Sequence, residues 1–371
     1  MAPPPAPFQF LPLGAIIQAF TIKSQNIVQS FPLQSDYPTH NTPFFGETIG
    51  RVANRVRDGK IESLNGGKSY SLAQNNGENA LHGGVVGWGK RVWEGPRAVG
   101  VRELEVEGKV YKGESVEFRL RSEDGDEGYP GTVEASVVYT AAETGDGVRV
   151  LGIEYQVELV GDEVEETVVN VTNHSYGTHS FIHSFPLSKA NRRHLLTVVR
   201  SWDRYFNLTG NPTIEGTQVS LCTNSYLPVD NGIPTGNPTA YAGVEAHKTF
   251  TLGAEEPDID DCFIVDPSAA SSIPLDTRKS PLTKLVTAYH PQTKIHLEVW
   301  STEPAFQFYT GKYIDVPAVE GQAARGKRSG FCVEPSRFVN AVNVPEWKAQ
   351  VVLKKGEVYG SRVVYKGWSD E

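Results

Sequence analysis

The chain has 371 residues, 39% hydrophobic and 21% charged, ordinary for a soluble globular protein and enough to bury one large core or two modest ones. A net charge of −9 argues against a nucleic-acid-binding surface. Cys222, Cys262 and Cys332 are scattered and form no C-x-x-C pair, which argues against a zinc ribbon or a disulfide framework and fits reduced thiols in the cytoplasm.

The N-terminal run Met1–Pro7 lacks the basic and long apolar regions of a signal peptide. Residues 11–20 are apolar but too short to span a membrane, so they are expected to form the first buried strand. Gly46-Glu47-Thr48-Ile49-Gly50-Arg51-Val52-Ala53-Asn54-Arg55-Val56 follows, then the turn signal Asn65-Gly66-Gly67, then Asn75-Asn76-Gly77-Glu78-Asn79-Ala80-Leu81-His82-Gly83-Gly84. Taken alone, Arg55 reads as a surface cation and His82 as a turn histidine. The two glycines after His82 would let a ligand approach the backbone, because no Cβ stands in the way.

Period-two alternation dominates the middle of the chain. Val116, Phe118 and Leu120 share a face, as do Val133, Ala135, Val137 and Tyr139, and then Leu151, Ile153, Tyr155, Val157 and Leu159. Gly128-Tyr129-Pro130-Gly131 and Gly145-Asp146-Gly147 separate these runs. With 36 Gly and 24 Pro there is little room for long helices, and two large packed antiparallel sheets are expected. No internal repeat of propeller length is present.

Val169 and Val171 alternate with Asn170, Thr172 and His174, which sets His174 at a strand end on a polar face. Such a histidine serves either a structural hydrogen bond or catalysis. Residues 177–205 then stand apart. They carry Lys189, Arg192, Arg193, Arg200 and Arg204 against Asp203 alone, inside an acidic chain. They read either as a surface loop particular to this protein or as a short retained intron translated in frame, and the second is the favoured expectation.

Downstream, Asp258-Ile259-Asp260-Asp261-Cys262-Phe263 alone would be a loop terminus. Ile295, Leu297 and Val299 alternate with polar neighbours, and Gln307 faces away from Phe306 and Phe308. In Ser329-Gly330-Phe331-Cys332-Val333-Glu334, Phe331 and Val333 point one way, Cys332 and Glu334 the other. A carboxylate in so apolar a run needs a partner, either a structural cation or a role as a base of tuned pKa.

With residues 177–205 removed, Asn173-His174-Ser175-Tyr176 joins Phe206-Asn207-Leu208-Thr209-Gly210 into one line that resembles the active-site histidine motif of the aldose 1-epimerases, the galactose mutarotases. The ordered series Asn54-Arg55, His82-Gly83-Gly84, the joined line, Asp260-Asp261-Cys262-Phe263, Gln307-Phe308-Tyr309-Thr310-Gly311 and Ser329 to Glu334 resembles that family from about Leu11 to Lys366. Each motif is weak alone; six in order are specific.

The resemblance implies an all-β chain: a large antiparallel β-sandwich, the galactose mutarotase-like supersandwich, as a single domain over 1–371, with an atypical basic insertion at 177–205 and the sugar on a concave sheet face. By matching position, Glu334 would be the general base, His174 the general acid and His82 a second active-site histidine, with Asn54, Arg55, Asp260 and Gln307 binding sugar hydroxyls. Asp260 is preferred to Asp261 because it stands three residues before Phe263. One group must be charged and the other protonated near neutral pH, which suits Glu with His. Trp88 and Trp93 are assigned to core packing ahead of stacking on a pyranose. Pro335 stands where many members have Thr.

The expected reaction interconverts the α and β anomers of glucose or galactose by ring opening and reclosure. It needs neither cofactor nor metal, and no G-x-G-x-x-G, P-loop or H-E-x-x-H is present. The expected partner is a small-molecule aldohexose, with no nucleic acid and no membrane, for a cytoplasmic monomer or weak dimer. Two alternatives are a hexose-6-phosphate 1-epimerase, for which no added Arg/Lys cluster is seen, and a sugar-binding relative impaired by its insertion, against which the retention of His174 and Glu334 argues.

Overall fold

The computed structural model of the chain describes residues 6–175, 206–319 and 321–370; the basic segment 177–205 lies outside the described residues. A nine-stranded antiparallel sheet dominates, in the order Phe250–Thr251, Gln218–Leu221, Thr283–His290, Ile295–Ser301, Val358–Ser369, Arg149–Leu159, Val133–Glu143, Lys109–Ser122 and Glu94–Val106. Alternation sets its inner face: Phe118, Val137, Tyr139, Ile153, Tyr155, Val157, Leu297, Val299 and Val363 enter one core. The intervening glutamates and arginines stay on the outside.

Packed on that core is a five-stranded sheet in the order Thr239–Ala240, Ser225–Tyr226, Asp260–Ile264, Ala305–Tyr309 and Cys332–Ser336. Phe263, Phe306, Phe308 and Val333 point inward to the shared core, so their neighbours Gln307 and Glu334 point outward. Two opposed apolar sheet faces give the expected sandwich. Among the described residues the longest α-helix is the four-residue Tyr37–His40, and no helix is long and apolar enough to cross a membrane. All three cysteines are unpaired.

The expected single strand over 11–20 is two strands. Phe8–Leu11 pairs antiparallel with Ile16–Ile22, and the chain reverses through Gly14 and Ala15 at φ 61° and 44°. A Cβ on Gly14 would lie 2.3 Å from the Gly89 carbonyl oxygen, so that turn needs glycine. Pro12 and Gly14 were the breakers that the apolar run concealed.

A buried brace stands behind the site. Arg337 and Glu303, both fully buried, pair at 2.9 Å, and the Tyr359 hydroxyl donates to Glu303 at 3.0 Å while accepting the Val171 N–H at 3.1 Å. The Arg337 N–H donates to the Asn170 side-chain oxygen at 3.0 Å. The segment following Glu334 is thus tied to the segment leading to His174.

Candidate active site

Glu334 sits mid-strand in Cys332–Ser336, directly opposite Gln307, and Asp260 begins the next strand over. His174 ends the short strand Thr172–His174, which pairs with Glu47–Ile49. His82 follows the two-residue ladder of Arg55–Val56 with Ala80–Leu81. These separate elements converge: His174 Nε2 lies 3.3 Å from Glu334 Oε1, and the two imidazole rings meet edge to face at 4.9 Å and 88°. His174 and Glu334 are only 3% and 4% exposed.

His82 and Asn54 are locked reciprocally. The His82 N–H donates to the Asn54 carbonyl at 2.9 Å, and the Asn54 N–H donates to His82 Nδ1 at 3.3 Å. Both residues sit in the left-handed region, at φ 50° and 58°. Because Nδ1 accepts, neutral His82 carries its proton on Nε2 and is a donor there.

A relay of amides continues around the wall. Asn54 Nδ2 donates to Gln307 Oε1 at 3.1 Å, and Gln307 Nε2 donates to Asp260 Oδ1 at 2.8 Å. Arg55 is held by its Nε bond to Asn76 at 2.9 Å. All seven residues singled out in the sequence line one pocket of about 260 Å3, near the lower end for small-molecule sites, with Phe44, Leu81, Tyr309, Tyr313 and others completing the wall. Asp261 is turned to the other side of its strand, against Tyr241.

The pocket also contains what sequence reasoning missed. The Phe44 ring packs on both histidines, at 5.0 Å from His82 and 5.4 Å from His174. Lys90 and Glu47 stand behind it. The glycines after His82 have a packing role that the sequence did not show. A Cβ on Gly83 would lie 1.9 Å from the Gly50 carbonyl oxygen, and one on Gly84 would lie 2.2 Å from Glu127 Oε2. They admit neighbouring protein. Trp88 and Trp93 are buried and pack edge to face at 6.0 Å, as the core assignment expected.

Comparison with known proteins matches the aldose 1-epimerase family profile over residues 7–195 and 196–366. The chain belongs to the aldose 1-epimerase family. The break between the two matched stretches falls inside 177–205. A bifunctional protein GAL10 of Pachysolen tannophilus is 37% identical over 358 residues, covering 95% of this chain and 44% of that protein. The chain spans less than half the length of the GAL10 relatives it matches. A galactose mutarotase of Bos taurus is 32% identical over 365 residues, covering 95% of this chain and 88% of that protein. Among solved structures, a GalM/aldose epimerase homologue from C. elegans aligns with TM-score 0.71 at 21% identity over 98% of this chain and 96% of its own, a likeness of fold.

In the resting site, burial dominates the electrostatics. Burial, then repulsion from Asp260, raises the Glu334 carboxyl to about 8, against opposing help from the Cys332 thiol and Arg55. Burial, then Arg55 and Lys90, lowers His82 to about 3. Burial, then His82 and Lys90, holds His174 well below the usual imidazole range. Both partners of the 3.3 Å contact therefore favour their neutral forms, and the pair keeps one proton at neutral pH.

His82, His174 and Glu334 also place their donor atoms within 4.8 Å of one another, the spacing of a loose metal cluster. The Asn54 N–H on His82 Nδ1 opposes that use. It occupies the Nδ1 lone pair and leaves the proton of neutral His82 on Nε2.

Proposed function

We propose that the protein is an aldose 1-epimerase that interconverts the α and β anomers of an aldohexose such as galactose or glucose. The observation that carries this reading is the His174–Glu334 contact at 3.3 Å, facing a pocket walled by donors and acceptors in fixed orientation. The pair's single proton, which rests on Glu334, first passes across the 3.3 Å contact to His174; in that form the Glu334 carboxylate takes the proton of the C1 hydroxyl while His174 delivers its own to the ring oxygen. The C1–O5 bond breaks, the C1 carbonyl forms, and half a turn about C1–C2 presents its other face. Reclosure reverses both transfers, and the pair ends with the one proton it began with. Each transfer contributes about 10²–10⁴-fold when the groups are in reach. His82 Nε2–H donates to a sugar oxygen, Arg55 offers a directional fork, and Asn54, Gln307 and Asp260 read hydroxyls as a connected set.

The galactose mutarotase names among the relatives support galactose as a substrate. A 6-phosphate is disfavoured: the groove that continues from the pocket has Arg55 and Arg57, but also Asp58, Glu78, Asp230 and Asp260. The test is polarimetry of freshly dissolved α-galactose, α-glucose and glucose 6-phosphate. Acceleration of the free hexoses supports the reading, and binding without acceleration would leave only a sugar-binding relative.

We also read the chain as one such domain interrupted at 177–205, working in the cytoplasm, where its three unpaired thiols stay reduced. Support comes from the flanks. Ser175 neighbours the Tyr365 hydroxyl, and the Phe206 ring packs edge to face on the same Tyr365 at 5.2 Å, so both flanks meet at one residue. A mature transcript that encodes the whole segment would sink the retained-intron origin.

A further inference from the structure

The turn 41–46 is held by bonds that nothing in the proton-transfer chemistry requires. Asn41 Oδ1 accepts the Phe45 N–H at 2.7 Å, and Asn41 Nδ2 donates to Glu47 Oε1 at 2.8 Å. Phe44 at its apex takes φ 63°, a conformation unusual for a bulky residue and one that surrounding structure must enforce. The turn is docked on the strand of His174: the Gly46 N–H donates to the His174 carbonyl at 2.9 Å, and Asn173 Nδ2 donates to the Gly46 carbonyl at 3.1 Å.

Lys90 closes this arrangement from behind. Its ammonium donates to the Asn41 carbonyl at 2.6 Å, pairs with the buried Glu47 carboxylate, and stands 4.7 Å from the centre of the Phe44 ring. The same ring rests on His82 and His174. Lys90 is absent from the pocket wall, so it acts through Phe44 and Glu47 and does not meet substrate.

We propose that Lys90 is a positioning residue for the epimerase site: anchored by Asn41 and Glu47, its ammonium braces the Phe44 ring against both histidines and fixes their distance to Glu334. The proposal rests on the epimerase reading for its kinetic effect, while its structural effect stands apart from that reading. A cation behind one aromatic plate has an electrostatic consequence too. Among the described residues, the charged and titratable groups that face the histidines are Lys90, Arg55 and Glu334, with Asp260 and Glu47 beyond; Lys90 favours both neutral rings and Arg55 that of His82.

The test compares Lys90→Met, which keeps the stem, with Lys90→Arg, which keeps the charge. Because Lys90→Met leaves Glu47 buried without a cation, a Lys90→Met/Glu47→Gln double variant serves if the single one does not fold. Two readouts are taken. Polarimetric kcat is expected to fall about tenfold or more in the Met variants, since about 1 Å of misplacement can cost 10²-fold, with KM within about twofold and most of kcat restored in Lys90→Arg. The ring-nitrogen NMR titrations of His82 and His174 are expected to move upward in pH. Wild-type kcat and unmoved titrations in a folded Met variant would overturn the proposal, whatever its Tm. If the wild-type protein epimerises no hexose, the functional reading fails, and the NMR arm still decides whether Lys90 braces the histidines.

Discussion

Replacing Glu334 by Gln separates the demands of catalysis from those of folding. The carboxyl is 4% exposed and its pKa is raised from 4.5 to about 8, mainly by burial and then by Asp260. A group whose folded-state pKa is raised gives stability that is complete below the unfolded value and lost as pH rises through the folded one. For Glu334 that window runs from 4.5 to about 8. At about 1.4 kcal/mol for each pH unit the midpoint moves, the ceiling is on the order of 5 kcal/mol, and water reaching the charged group reduces it to about 2–4 kcal/mol. Glu334→Gln removes that burden, so its stability should exceed wild type at pH 8.5 and match it near pH 4. Thermal melts at the two pH values measure this, at about 2–4 °C per kcal/mol for a domain of 150–250 residues and less for this longer chain. The same variant should lose about 10²–10⁴-fold in kcat. A variant destabilised equally at both pH values would refute the reasoning, because the carboxylate would then be a structural anion.

Other outcomes follow from the same geometry. Wild-type kcat/KM should hold below pH 6.5 and fall as pH rises past about 8, where the pair loses its single proton; a steep loss between pH 7 and 6 would contradict neutral, buried histidines. Asp260→Ala should raise KM about tenfold or more with a smaller change in kcat, since it frees Gln307 Nε2 from its 2.8 Å bond and slackens the amide relay. Glu303→Ala should cost about 3–5 kcal/mol in urea unfolding, because Arg337 is left buried without its carboxylate. A chain lacking 177–205 should fold and match or exceed the full chain in kcat, whereas loss of folding would make the segment an integral part of the domain.

Much of the scaffold was legible because alternation is local. The runs 151–159 and 133–139 gave their inward faces directly, and Gln307 between Phe306 and Phe308 gave the outward one. The seven candidate side chains could be gathered only through family resemblance, since periodicity says nothing about which strand ends meet. Where sequence failed, three-dimensional docking decided. Phe44, Glu47 and Lys90 carry no local signal; they matter because one turn lands on the strand of His174. The crowding at Gly83 was hidden because its close neighbour, Gly50, lies far back in the chain. The resting protonation of the pair was not legible, because burial on both sides of a contact is invisible in a list of residue types.

The most direct measurement is the rate at which α-galactose and α-glucose reach anomeric equilibrium, followed by polarimetry with equal amounts of wild-type and Glu334→Gln protein. The account predicts strong acceleration by wild type and a loss of about 10²–10⁴-fold in the variant. Equal rates for the two proteins, or no acceleration by either, would contradict it.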